Sequence, residues 1–136
     1  YMDDMVFFSD SKEHLHQLRL EIDTYLQTRL RLTVKGNWQV FPTYKRGVDY
    51  LGYRIFLHYT LLRKSTYKKF KAKMLCLEKK RSTGKELNYS DFCSFNSYAG
   101  WLKTCNSYRL QQKYMVPLQR YVNTYYTNNL KGKKHE

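Results

Sequence analysis

The sequence predicts an α+β chain, and three patterns carry that expectation. Apolar residues alternate or run briefly at 5–9, 32–41 and 48–62, as strands do, whereas from 15 to 30 and again from 65 to 125 they recur every three or four positions. Helix-spaced residues take over completely after residue 63, so strands and helices segregate along the chain rather than alternating. With 136 residues, 42% hydrophobic and 17% aromatic, the chain has the apolar content for one ordinary domain or two small ones and is not of disordered composition.

The elements follow in order. Met5-Val6-Phe7-Phe8 reads as a first strand. Asp10 with Glu13 three residues later is a capping-box-like helix start, and Leu15, Leu18, Ile22, Tyr25 or Leu26, and Leu30 keep the 3.6 period to about residue 30. That helix should lie on a sheet. Leu32 and Val34 alternate, Gly36-Asn37 signals a hairpin, and 38–41 resumes as a strand until Pro42 stops it. A strand over 48–56, a turn near His58 and Tyr59, and a strand at Leu61-Leu62 close the β-rich part.

Ser65 then caps a helix whose stripe is Tyr67, Phe70, Met74 and Leu77, ending near Ser82-Thr83-Gly84. A second helix starts at Asp91 and turns Phe92, Phe95, Ala99 and Leu102 inward. A third begins near Ser107 and contains Pro117, which must kink it or open a new helix; Leu118, Tyr121, Val122 and Tyr125 form its last apolar face. The polar tail, 128–136, is rich in lysine and should be a flexible basic extension.

The net charge of +14 is unevenly distributed. Residues 1–49 carry seven basic and seven acidic side chains, and 50–136 carry eighteen basic and four acidic. Ten Lys or Arg fall between Arg63 and Lys85 against the single acid Glu78, which favours a polyanionic partner over a merely solvated face. No apolar run approaches the ~20 residues that span a bilayer, and the acidic start with its short apolar run is not a signal peptide; a cytoplasmic location without membrane contact is expected. Cys76, Cys93 and Cys105 are odd in number and widely spaced, with no C-x-x-C pair, so reduced, partly buried thiols rather than zinc ligands are expected. His14 and His16 are two apart on a helix and both read as surface residues.

Tyr1-Met2-Asp3-Asp4 places two adjacent carboxylates at the head of an apolar strand. Burying such a pair is costly unless a cation compensates it, and a hard divalent ion with oxygen ligands does so. The competing explanation is an Asp-Asp turn whose side chains satisfy local backbone groups. Some forty residues on stands Tyr50-Leu51-Gly52-Tyr53, in which glycine permits a bend or a close backbone approach.

That order resembles a reverse transcriptase. The aspartate motif resembles the catalytic hairpin, the following helix and Lys35 loop the next palm motif, and Tyr50-Leu51-Gly52-Tyr53 the primer grip. The segment 61–70, with Phe95-Asn96-Ser97-Tyr98 and Gly100-Trp101-Leu102-Lys103, looks like the thumb of bacterial enzymes, most similar to those of diversity-generating retroelements and group II introns. The resemblance implies a palm remnant with primer grip over 1–62, a three-helix thumb over 63–127 and a basic tail over 128–136. It implies Asp3 and Asp4 as catalytic ligands of Mg²⁺ in the full-length enzyme, Tyr1 and Met2 near primer terminus and nucleotide, and Lys35 as a third catalytic residue, a general acid near the nucleotide's phosphates, whose alternative is a solvated turn residue.

Lys64, Lys68, Lys71 and Arg81 are then the phosphate contacts of a thumb helix along a primer–template duplex, recognised by shape rather than sequence. The implied partners are an RNA template, a DNA primer and deoxynucleotides, with an accessory protein as a further candidate. Fingers and a third metal-binding aspartate would lie upstream, so the segment alone is expected to be inactive. Two other functions suit the same residues: a non-catalytic RNA-binding or intron-maturation module, and a basic helical domain that docks a protein.

Overall fold

A computed structural model describes residues 5–129. It is a mixed α+β structure, as expected, and separates into two compact units, Tyr1–Arg46 and Gly47–Glu136. The β-strands therefore belong with the helices that follow them, whereas the family resemblance set its palm–thumb boundary at residue 62.

In the first unit α1 spans Lys12–Tyr25 and continues as a wider π-helical turn over Leu26–Leu30. Its cap is Ser11 rather than Asp10: Ser11 is extended, and its hydroxyl accepts the His14 backbone N–H at 3.1 Å while donating to Glu13 at 3.1 Å. Backbone N–H donation and the Ser11 hydroxyl hold the Glu13 carboxyl below its ordinary range. Thr24 and Thr28 return their hydroxyls to the carbonyls of Leu20 and Thr24, a back-bonding that loosens helices, and the left-handed Arg31 (φ 53°) ends the helix. Leu15, Leu18, Ile22 and Leu26 are half-buried along the predicted stripe.

Residues 5–9 form no strand. Nor do the two arms of the expected hairpin at 32–41, although Gly36 and Asn37 do make a turn. The arms are captured by α1 instead. Val34 donates its backbone N–H to Asp23 Oδ1 at 3.3 Å, and the Trp38 ring lies 4.6 Å under the Arg19 guanidinium and edge-on to His16 at 5.9 Å. A side-chain carboxylate and a cation have replaced the cross-strand ladder as partners. After Pro42 a single turn, α2, spans Thr43–Arg46.

The second unit opens with β1 (Val48–Tyr50), β2 (Tyr53–Ile55) and β3 (Thr60–Leu62), an antiparallel sheet in the order β1-β2-β3 with Tyr50 opposite Tyr53 and Ile55 opposite Thr60. The expected strand over 48–56 is thus a hairpin broken at Leu51 and Gly52. Next come α3 (Lys64–Ser82) and α4 (Tyr89–Lys103), then α5 (Tyr108–Leu110), which runs through a π turn at Gln111–Met115 into α6 (Val116–Asn129). Pro117 explains the π turn. It has no N–H and its ring crowds the carbonyl four residues back, and the widened turn, with the Val116 N–H reaching Gln111 O, absorbs both.

Phe70, Met74 and Leu77 of α3, Phe95 and Leu102 of α4, and Met115, Leu118 and Val122 of the last helix form one core with Leu87. Each such side chain contributes about 1.5–3 kcal/mol on burial. By contrast no described residue of the first unit is buried. Asp91, buried at 3% exposure, ties α3 to α4: its carboxylate accepts Lys73 Nζ at 2.9 Å and Lys80 Nζ at 2.6 Å and completes a capping box with Asn88. Burial pushes the Asp91 carboxyl up, but the Lys80, Lys73 and Asn88 hydrogen bonds outweigh it and hold the group below the usual carboxylate range.

Candidate nucleic-acid interface

The hairpin tip between β1 and β2 is a two-residue turn in which both central residues have positive φ, 45° at Leu51 and 82° at Gly52. Such turns match strand twist and call for asparagine or glycine; a leucine there is strained by about 1–2 kcal/mol. Leu51 is nonetheless 47% exposed at the tip. Gly52 has no alternative, since a Cβ would stand 2.3 Å from the Trp101 ring.

Trp101 is the clamp. The Tyr53 ring stacks on it at 5.3 Å, and the Tyr53 hydroxyl donates to the Trp101 carbonyl at 3.0 Å and lies 3.1 Å from the Thr104 hydroxyl. Tyr50, opposite Tyr53, is half-buried. The turn is also tied to the next element, because the Arg63 N–H donates to Gly52 O at 2.9 Å immediately before α3 begins. Asp49 faces Arg54 and Arg63 at 3.5 and 3.7 Å across this corner.

Lys64, Lys68 and Lys71 follow one another at i, i+4 and i+7 on α3, and all three are exposed. At ~100° per residue they form a single stripe, offset from the buried stripe of Phe70, Met74 and Leu77, with successive rises of about 6 and 4.5 Å. Arg81 is not on it. It stands four residues after Leu77, and Glu78 holds it by two hydrogen bonds of 2.6 and 3.0 Å. Lys73 and Lys80 are spent on Asp91.

Among the described residues, Lys64, Lys68, Lys69, Lys71, Lys79, Lys85, Lys103, Arg109, Lys113 and Arg120 have no ion-pair partner, which leaves the second unit strongly unneutralised. Such a surface concentrates polyanions. Tyr67, half-buried, packs against the core as its place in the apolar stripe requires.

Tyr1, Met2, Asp3 and Asp4 lie outside the described residues, as does the tail from 130 on. Lys35 is exposed just before the turn at Gly36. Among the described residues no three or more His, Cys, Asp or Glu side chains group as a metal site. The three cysteines are free; Cys105 is half-buried, its thiol pushed up by burial, while Cys76 and Cys93 are exposed rather than partly buried. No described helix is long and apolar enough to cross a membrane.

Two features escape sequence reasoning. Gly52 marks a possible bend, but the left-handed conformation of Leu51 is hidden because leucine occupies a position whose usual signal is asparagine or aspartate. Asn106 joins the helices to the sheet by imitating a strand, accepting the Thr60 N–H on Oδ1 at 2.9 Å and donating its own N–H to Thr60 O at 2.8 Å. Nothing in one sequence marks it. No protein-family model and no curated protein matches the chain.

Proposed function

We propose that the chain is part of an RNA-directed DNA polymerase and that its second unit holds the primer–template duplex. One observation carries the reading most: the Gly52–Arg63 hydrogen bond fastens the Leu51 turn to the start of α3, whose outward stripe is Lys64, Lys68 and Lys71. A strained apolar tip and a row of unneutralised lysines in one rigid corner suit a duplex gripped by its backbone, with lysines on phosphates and the tip against sugars.

In this reading Tyr50, Leu51, Gly52 and Tyr53 serve as primer grip, and α3 with α4 and α6 as the thumb. Asp3 and Asp4 would hold Mg²⁺ in the full-length enzyme, and the chemistry supplied there would be activation of the primer hydroxyl and charge neutralisation at the leaving pyrophosphate. Lys35 would approach the phosphates of the incoming deoxynucleotide. Arg81 is left out of the duplex contact because Glu78 already satisfies it.

A second reading, a non-catalytic RNA clamp, draws on one fact: the core and the unneutralised charge both belong to the unit Gly47–Glu136. Mapping amide shifts on titration with a short RNA–DNA hybrid tests the first reading. It predicts shifts at Leu51, Gly52 and the first two turns of α3. Shifts confined to other surfaces, or equal affinity for duplex RNA with no effect at Leu51, favour the clamp.

A further inference from the structure

The turn between β2 and β3 and the end of α4 enclose a shallow groove of about 500 Å³ that shares no residue with the grip or the lysine stripe. Its wall is an aromatic ring in a fixed position. Tyr59 stacks on Phe56 at 4.5 Å with planes 21° apart, and the Phe56 N–H donates to Tyr59 O at 2.9 Å, so one ring face is supported while the residue remains 45% exposed. Polar donors line the same groove. Lys103 and His58 have no ion-pair partner among the described residues. Asn106 has its carbonyl oxygen and backbone N–H committed to Thr60, which fixes the carboxamide and leaves its Nδ2 hydrogens without an acceptor among the described residues. Among the described residues no acidic side chain lines the groove.

We propose that this groove binds a nucleotide, its base stacked on Tyr59 and its phosphate taken by Lys103, Asn106 Nδ2 and His58. A supported ring next to unengaged donors without an acid is the arrangement that stacking proteins use for bases of any sequence. The shared chemistry is a planar base carrying a phosphate, either as a free nucleotide or as one residue of a single strand. The inference needs only the groove and does not rest on the polymerase reading.

Amide-shift titrations of the full chain with adenosine monophosphate and with a single-stranded octa-adenylate test it. The expected result is shifts at 57–60 and 103–106, with tighter binding of the octamer if the source is a strand and equal binding if it is a free nucleotide. Tyr59→Ala should weaken binding by about fivefold or more, and Tyr59→Phe should hold it within about twofold, because a base stack survives loss of the hydroxyl. As Tyr59→Ala could loosen the turn, Lys103→Gln at the solvent-facing helix end is the second variant, and it should weaken binding several-fold with an otherwise unchanged spectrum. Changing Lys64, Lys68 and Lys71 to glutamine should leave the monophosphate shifts in place even where duplex binding is lost, which separates this site from the duplex contact. Absence of shifts at 57–60 and 103–106 with both ligands, or shifts indifferent to Lys103→Gln, overturns the proposal.

Discussion

The Trp101 ring occupies the space that a side chain at Gly52 would need: a Cβ there would lie 2.3 Å from Cζ3 and 2.5 Å from Cη2. Space and the positive φ of 82° both demand glycine. Gly52→Ala should therefore cost about 2 kcal/mol or more in a urea melt, the range of overpacking plus backbone strain. Trp101→Ala should cost about 3 kcal/mol. Combined, the two should cost less than their sum, since removing the ring frees the space. Strict additivity would mean that the ring does not press on this turn.

Leu51 makes the opposite prediction. Its left-handed φ of 45° is strained and its side chain half-exposed, so Leu51→Gly should leave stability unchanged or raise it by about 1 kcal/mol. Binding of an RNA–DNA hybrid should weaken all the same. A variant less stable by 1 kcal/mol or more would show that Leu51 is a packing residue.

How far these features were legible in the sequence depended on what sets each of them. The stripe Phe70, Met74 and Leu77 is buried as its 3.6 period requires, and Phe95, Leu102, Leu118 and Val122 likewise, because in a bundle the apolar face is itself the driving force. Strands at 32–41 were misleading. Alternation there records only local pattern, whereas Asp23 and Arg19, far off in sequence, offer Val34 and Trp38 better partners than each other. The four cationic candidates illustrate the same limit: helical spacing puts Lys64, Lys68 and Lys71 in a row, but that Glu78 claims Arg81 depends on side-chain geometry.

Asp91 predicts an acid-side loss of stability. Its carboxyl titrates lower folded than unfolded, so its contribution is complete above the unfolded value of about 3.9 and is lost as pH falls through that value toward the folded one. Urea midpoints measured from pH 6 to pH 3 should fall below about pH 4. Asp91→Asn should reduce this slope and cost about 2 kcal/mol at neutral pH, less than a fully buried pair because Lys73 and Lys80 remain about a quarter exposed. A wild-type profile that Asp91→Asn leaves unchanged would place the acid lability elsewhere.

The measurement that tests the duplex-holding account most directly is the salt dependence of binding to an RNA–DNA hybrid, read by fluorescence anisotropy between 50 and 200 mM salt. Three lysines on three phosphates give a contribution to the slope of log K against log salt near −2.7 on the B-DNA scale, or about 40-fold in affinity over that interval. Changing Lys64, Lys68 and Lys71 together to glutamine should remove most of that contribution, while Arg81→Gln should change the slope little, since Glu78 already neutralises that cation. A slope that survives the triple change, or one that collapses with Arg81→Gln alone, would contradict the account.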